Sequence, residues 1–364
     1  MLDSVKEALL AKNQKLIDMV IERAKRDFPE DIVLIGLTGS FSTGEFHEKS
    51  DLDLIIVNET KRGWGIAAGF IFDGVGYDIY CTPWEPRILA QSKLESPMAG
   101  CLIDLQVLYC AKPEYIDKLN RYRQSAMDLL AKPIGRECLD RARKNIDKAK
   151  QCYADAMIHD QIGPVRYAAG GVLYETVNAL TSLNNTYIKR GIKRYLEDIL
   201  AYKYRPDHLE EMYMAIIKAA TVDALRKAAF DLLSALVALY EKMRAQFVEA
   251  PSPTYENLWG TYEELWSNCR NKVMKSTGSN DLSYAFHVAL GAQGYLDEMT
   301  KMFGTPRFDL MQHFDAGDLS KFRDAFGQAV AEYAAVYDKV GRKIERYDSF
   351  EKLYDDYMNG RLNR

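Results

Sequence analysis

The chain has two textures. Up to about residue 110, short apolar runs alternate with small polar loops. Beyond about residue 112, apolar positions recur at three- and four-residue spacing. Residues 1–28 have helical periodicity, with Leu9, Leu16, Met19, Val20 and Ala24 near one face. Pro29 stops that helix, because proline disfavours helical backbone in the residue before it. Residues 32–37 (IVLIGL) are apolar, β-branched and bounded by turn residues, which predicts a buried strand. Residues 38–50 (TGSFSTGEFHEKS) predict a loop with one helical turn, and 51–57 (DLDLIIV) a second strand. Residues 66–72 and 75–81 flank Asp73-Gly74 and predict a hairpin; residues 102–110 predict one more strand.

Leu139, Ala142, Ile146, Ala149, Tyr153 and Ala156 mark an amphipathic helix. Helices are also expected over 165–184, 192–203, 208–247, 255–275, 281–303 and 317–343. Pro251 and Pro253 interrupt that run and read as a linker or sharp turn. The fold class expected is α+β: a mixed-sheet domain at 1–125, then all-helical domains at 126–250 and 251–364.

Composition narrows the function without naming it. The 364 residues are 48% apolar and 27% charged, which fits a folded globular protein and not a disordered one. The net charge of −4 argues against a protein whose main task is coating nucleic acid. No apolar run approaches the ~20 residues that span a bilayer. The N-terminus alternates acids and lysines, so no signal peptide and a cytoplasmic location are expected. The six cysteines form no CxxC pair and are read as reduced thiols. The five histidines are scattered singly, so any metal is expected on oxygen ligands.

The chemistry concentrates in residues 32–57. Asp51 and Asp53 are two apart, so on an extended strand they project from the same face. Neighbouring carboxylates repel unless a cation neutralises them, and Mg²⁺ suits such a site when substrate phosphates complete its octahedron. Gly39 lets backbone approach a phosphate, and the Ser40 hydroxyl and nearby N–H groups can donate to it. Gly44 permits the loop's return. Two metal ions beside a phosphate cradle are what transfer of a nucleotidyl group needs. Asp78 is expected as the third carboxylate, because it interrupts a strand-like segment; Asp73 is its rival, better explained by the turn before Gly74.

Residues 36–57 (GLTGSFSTGEFHEKSDLDLIIV) resemble the signature of the nucleotidyltransferase superfamily that includes DNA polymerase beta and the aminoglycoside nucleotidyltransferases. That signature is a GS pair, a loop and SD-x-D on an apolar strand, here with ten residues between Ser40 and Asp51. The resemblance covers roughly residues 30–110. It implies that Asp51 and Asp53 bind the metals, Asp78 supplies the third carboxylate, and Gly39 and Ser40 hold the triphosphate. Phe41 and Thr43 stand where many relatives carry a basic residue, which leaves the triphosphate's positive partner unassigned. Residues 141–198 are similar to the helical domain of kanamycin-type enzymes. That likeness makes Glu175, on a stripe with Gly171, Asn178 and Ser182, a candidate general base.

The activity implied is Mg²⁺-dependent transfer of a nucleoside monophosphate, AMP from ATP before other nucleotides, to a small-molecule hydroxyl. An aminoglycoside-like antibiotic is one such acceptor. The alternatives are a protein or RNA acceptor, or a non-catalytic nucleotide-binding regulator. Neither a nucleic-acid nor a membrane partner is expected, and a homodimer is allowed. The basic run Lys189, Arg190, Lys193 and Arg194 reads first as a solvated face and second as a phosphate site. Trp259, Tyr262 and Trp266 read as core, and His47 as an ordinary loop residue.

Overall fold

A computed structural model of the chain describes residues 3–362. Helix α1 (Asp3–Asp27) leads into strand β1 (Ile32–Leu37), whose six residues are all buried. Ile17, Val20 and Ala24 of α1 join the core, whereas Met19 lies half exposed outside the apolar stripe. Burial on both faces explains why β1 is a continuous apolar run instead of an alternating one. Ile32, Ile35 and Leu37 pack in the cluster formed with α1, and Val33 and Leu34 in a second cluster with Trp84, Ile88 and Leu119.

β1 is the middle of a three-stranded antiparallel sheet, between β2 (Leu54–Asn58) and β5 (Gln106–Cys110). Between β1 and β2 runs the short helix α2 (Gly39–Thr43). Strands β3 (Ala68–Phe72) and β4 (Val75–Ile79) form the expected hairpin across Asp73-Gly74, both at positive φ. An isolated parallel bridge joins Ile56 of β2 to Cys81, just beyond β4. The strand expected over 102–110 begins later, because residues 100–103 form the helical turn α4 (Gly100–Ile103), with α3 (Leu89–Ser92) before it. Likewise β2 begins at Leu54, so Asp51 and Asp53 stand just ahead of the strand.

Helix α5 (Pro113–Ala131) covers the sheet and is followed by the helical half of the same compact unit: α6 (Arg136–Ile158), α7 (Ile162–Leu183), α8 (Tyr195–Leu200), α9 (Leu209–Lys218) and α10 (Val222–Phe247). The span 208–247, expected as one helix, is two. Thr221 breaks it by capping α10, its side chain accepting from Ala224 N–H at 3.2 Å. Small residues let α6 and α7 pack closely: a Cβ on Gly171 would lie 2.7 Å from Cys152 Sγ.

Residues 1–248 form one compact unit and residues 249–364 a second. The second holds α11 (Thr261–Leu265), α12 (Asn271–Gly278), α13 (Leu282–Phe303), α14 (Leu319–Lys339) and α15 (Phe350–Met358). Its core is rich in tyrosine. The Tyr337 hydroxyl accepts from Tyr262 N–H at 2.7 Å, and Tyr333 donates to Thr261 at 2.9 Å. Tyr262 is buried as expected, but Trp259 is 60% exposed. Among the described residues no helix is long and apolar enough to cross a membrane.

Asn185 ties the first unit together. At positive φ just beyond α7, its amide donates to the carbonyls of Leu129 and Lys132 at 2.9 and 3.0 Å, and its oxygen accepts from Arg141 at 2.7 Å. The end of α5, the start of α6 and the end of α7 thus share one side chain. Asn185→Ala is expected to lower stability by about 2 kcal/mol, since it orphans carbonyls and a guanidinium at once. Urea unfolding followed by circular dichroism measures this.

Candidate active site

The site begins with the register of the sheet. The β1–β2 ladder ends at Leu37 and Leu54, and Thr38 N–H continues it by donating to Asp53 C=O at 3.0 Å. This brings Gly39 directly against Asp53. Gly39 has a φ of +69°, and a Cβ there would lie 1.8 Å from Asp53 Oδ2. Any L-residue would therefore meet both backbone strain and a collision with the carboxylate. Ser40 N–H donates to the same carboxylate.

The loop between α2 and β2 is shaped by its own residues. Phe41 and Phe46 stack with ring centroids 4.2 Å apart, across Gly44 at φ +78°. Ser50 is buried, its hydroxyl accepting from His47 N–H at 3.0 Å, and His47 Nδ1 accepts from Lys49 N–H at 3.0 Å. His47 is thus a loop-forming residue, as its sequence context suggests. Leu52 is buried, and Asp51 and Asp53 on either side of it both reach solvent, Asp53 with its carboxyl packed against Gly39.

Asp78 comes from β4. The parallel bridge pairs Ile56 with Cys81, and Asp53 and Asp78 each lie three residues upstream, so they stand level on adjacent segments. Electrostatics shows the result. The Asp53 carboxyl is pushed up to about 6, first by burial against its surroundings, then by the charges of Asp51 and Asp78. The Ser40 amide and the Lys193 ammonium pull the other way. Asp51, Asp53 and Asp78 thus share one patch of field. Among the described residues, however, no group of three acidic, histidine or cysteine side chains is arranged to hold a metal ion.

Two neighbours were not foreseen from the sequence. Cys101, on α4, shares a side-chain hydrogen bond with Thr38 and feels the Asp53 charge, while burial raises its thiol pKa. Tyr80 is raised by burial and then by Asp78. Lys193 is the third arrival, from the basic run beyond α7. Within that run Arg190 pairs with Glu197 at 3.3 Å and with Asp198, and Arg194 pairs with Glu197 at 2.6 Å and with Glu45 at 3.6 Å. Lys189 lies over the Tyr187 ring at 5.3 Å. Lys193 forms no ion pair among the described residues and lies close enough to Asp53 to stabilise its charge.

Glu175 is placed elsewhere. It lines a cavity of about 170 Å³ between the 94–99 turn, α6 and α7, which none of the three aspartates lines. Its Oε2 is buried without a partner. The sequence stripe is real: Glu175, Asn178 and Ser182 line the cavity together, while Gly171 packs on Cys152.

The raised Asp53 pKa fixes a sign. The folded state favours the protonated acid, so ionisation adds no penalty below about pH 4, adds a growing one from pH 4 to 6, and the full one above. In chelator, Asp53→Asn should therefore stabilise the protein at pH 7.5, by about 1 kcal/mol once solvent screening is allowed for, and leave it unchanged at pH 4. Thermal unfolding of both proteins at the two pH values checks this.

Residues 17–166 match the family described as nucleotidyltransferase domain. A nucleotidyltransferase-like protein from Exiguobacterium sibiricum 255-15, of known crystal structure, is 10% identical; the match covers 93% of this chain and 95% of that one, with a TM-score of 0.36. No curated protein matches the chain. Residues 17–166 thus carry a nucleotidyltransferase domain, and the protein is a transferase.

Proposed function

We propose that the protein transfers a nucleoside monophosphate, AMP from ATP, to a hydroxyl of a small molecule and releases pyrophosphate. The observation that carries this reading is the Asp53 carboxyl, packed against Gly39 and raised first by burial and then by the charges of Asp51 and Asp78. A surplus of negative charge on oxygen ligands fits a divalent cation, which would offset the repulsion among them. Asp51, Asp53 and Asp78 would hold Mg²⁺. When bound, Mg²⁺ supplies charge neutralisation of the triphosphate and polarisation of its α-phosphate.

The chain's own groups do the rest. The Ser40 hydroxyl faces the phosphates from α2, while its N–H keeps Asp53 in place. Lys193 supplies the cation that Phe41 and Thr43 do not, and Arg190 and Arg194 anchor its segment to acids, including Glu45 of the phosphate loop. The acceptor hydroxyl attacks the α-phosphorus, and its proton passes to the exposed Asp78 carboxylate. The bond from the α-phosphorus to the bridging oxygen breaks, and pyrophosphate leaves with the electron pair.

Two measurements test this. With ATP labelled at the α-phosphate and a small-molecule extract as acceptor pool, the wild type should yield a labelled small molecule. Asp53→Ala should lower the rate by about a thousandfold or more. Label on a protein or an RNA would redirect the acceptor assignment, and undiminished transfer by Asp53→Ala would remove the site. Lys193→Met should raise KM for ATP with a loss of about ten- to a hundredfold in kcat/KM, since one charge-assisted phosphate contact goes. An unchanged KM would return Lys193 to the solvated surface.

A further inference from the structure

The cavity lined by Glu175 lacks hydrogen-bond donors at two buried positions. Asn178 is 8% exposed, and its side-chain oxygen is buried with no partner; Glu175 Oε2 is buried with no partner beside it. Both residues line the same cavity, one turn apart on α7. A buried acceptor without a donor costs about 1–3 kcal/mol, and more when it is charged. Two of the hydroxyls that line the cavity are already committed: Thr181 and Ser182 donate to the carbonyls of Val177 and Asn178, at 2.8 and 3.0 Å. Glu95, on the opposite wall, is paired with Lys144 at 2.9 Å. The half-exposed ring of Tyr174 stands at the same cavity.

We propose that this cavity binds a protonated amine, which donates to Glu175 Oε2 and Asn178 Oδ1 beside the Tyr174 ring. An ammonium group has donors only, so it satisfies both oxygens and neutralises the carboxylate; an aromatic face favours the same charge. At about 170 Å³ the space is smaller than a whole drug-sized site and fits one ring or arm of a ligand. A chain of neighbours leads from the walls of the cavity toward the aspartate site. Ala99 and Ile188 line it, Gly100 packs on the Ile188 carbonyl, and the next residue, Cys101, stands beside Thr38 and Asp53. The amine is assigned as the anchor of the acceptor. That assignment rests on the transfer reading; the binding of the amine does not.

Glucosamine and glucose differ by one amine and serve as probes. In ligand-detected NMR titrations of the full chain without nucleotide, glucosamine should bind about tenfold or more tightly than glucose. Glu175→Gln keeps the volume and should abolish that preference; Asn178→Leu should weaken glucosamine alone. Asp53→Asn should leave glucosamine binding intact although it stops transfer, so the two readings fail separately. Equal binding of both sugars, or glucosamine binding indifferent to Glu175→Gln in a protein with wild-type circular dichroism, overturns the proposal. So would an unchanged preference in Asn178→Leu. If Lys148, which also lines the cavity, swings in to satisfy Glu175, Lys148→Ala will bind glucosamine while the wild type does not, and the wild-type amine site is then refuted.

Discussion

The contact between Gly39 and the Asp53 carboxylate governs the first unit. It exists because the β1–β2 ladder runs one residue past its last strand pair, to Thr38 and Asp53. The carboxylate then has only the space that a missing Cβ leaves. The Ser40 amide fixes it from one side and Lys193 draws it from another, while Asp51 and Asp78 repel it. Burial, and after it those two charges, outweigh the pull of Ser40 and Lys193, which is why its proton is held up to about pH 6. A domain that spent backbone geometry on crowding carboxylates would be poorly stabilised by it. A binding site for cationic groups gains from the same crowding.

The helical half serves this site in two ways. It delivers Lys193 on a segment braced by arginine–carboxylate pairs, one of which reaches Glu45 in the phosphate loop. It also closes on the sheet-bearing half through the Asn185 hub and through Tyr187, whose hydroxyl donates to Asp104 at 3.0 Å. Burial and Asp104 push the Tyr187 pKa up to about 12, so it stays a donor at any working pH. Between these two ties lies the cavity with its unpartnered oxygens. Packing there is close where α6 meets α7 at Gly171 and open one turn later, because Glu175 and Asn178 carry polar ends that the apolar core cannot take.

The second unit is different in kind. Its hydroxyls bond one another and nearby backbone at Thr261, Tyr262, Tyr295, Tyr333 and Tyr337. Trp266 lies between two guanidinium groups, with Arg270 at 4.0 Å and Arg346 at 4.8 Å from its ring. The bonded hydroxyls give this tyrosine core its fixed geometry.

The local pattern of the chain determined β1, the Asp73-Gly74 hairpin, most helix positions and the GS and DxD residues. Each depends on neighbours within a few positions: apolar periodicity, turn chemistry, a glycine before a serine. Local pattern placed the start of β2 and the strand at 102 too early, because the His47–Ser50 turn and the α4 turn are held by contacts that periodicity does not encode. The level alignment of Asp53 with Asp78 needed a parallel bridge between segments 25 residues apart. Lys193 lies 140 positions from Asp53, and nothing near either residue records their proximity. The cavity at Glu175 likewise appeared in sequence only as a polar stripe, since an empty space belongs to no segment and exists only between packed ones.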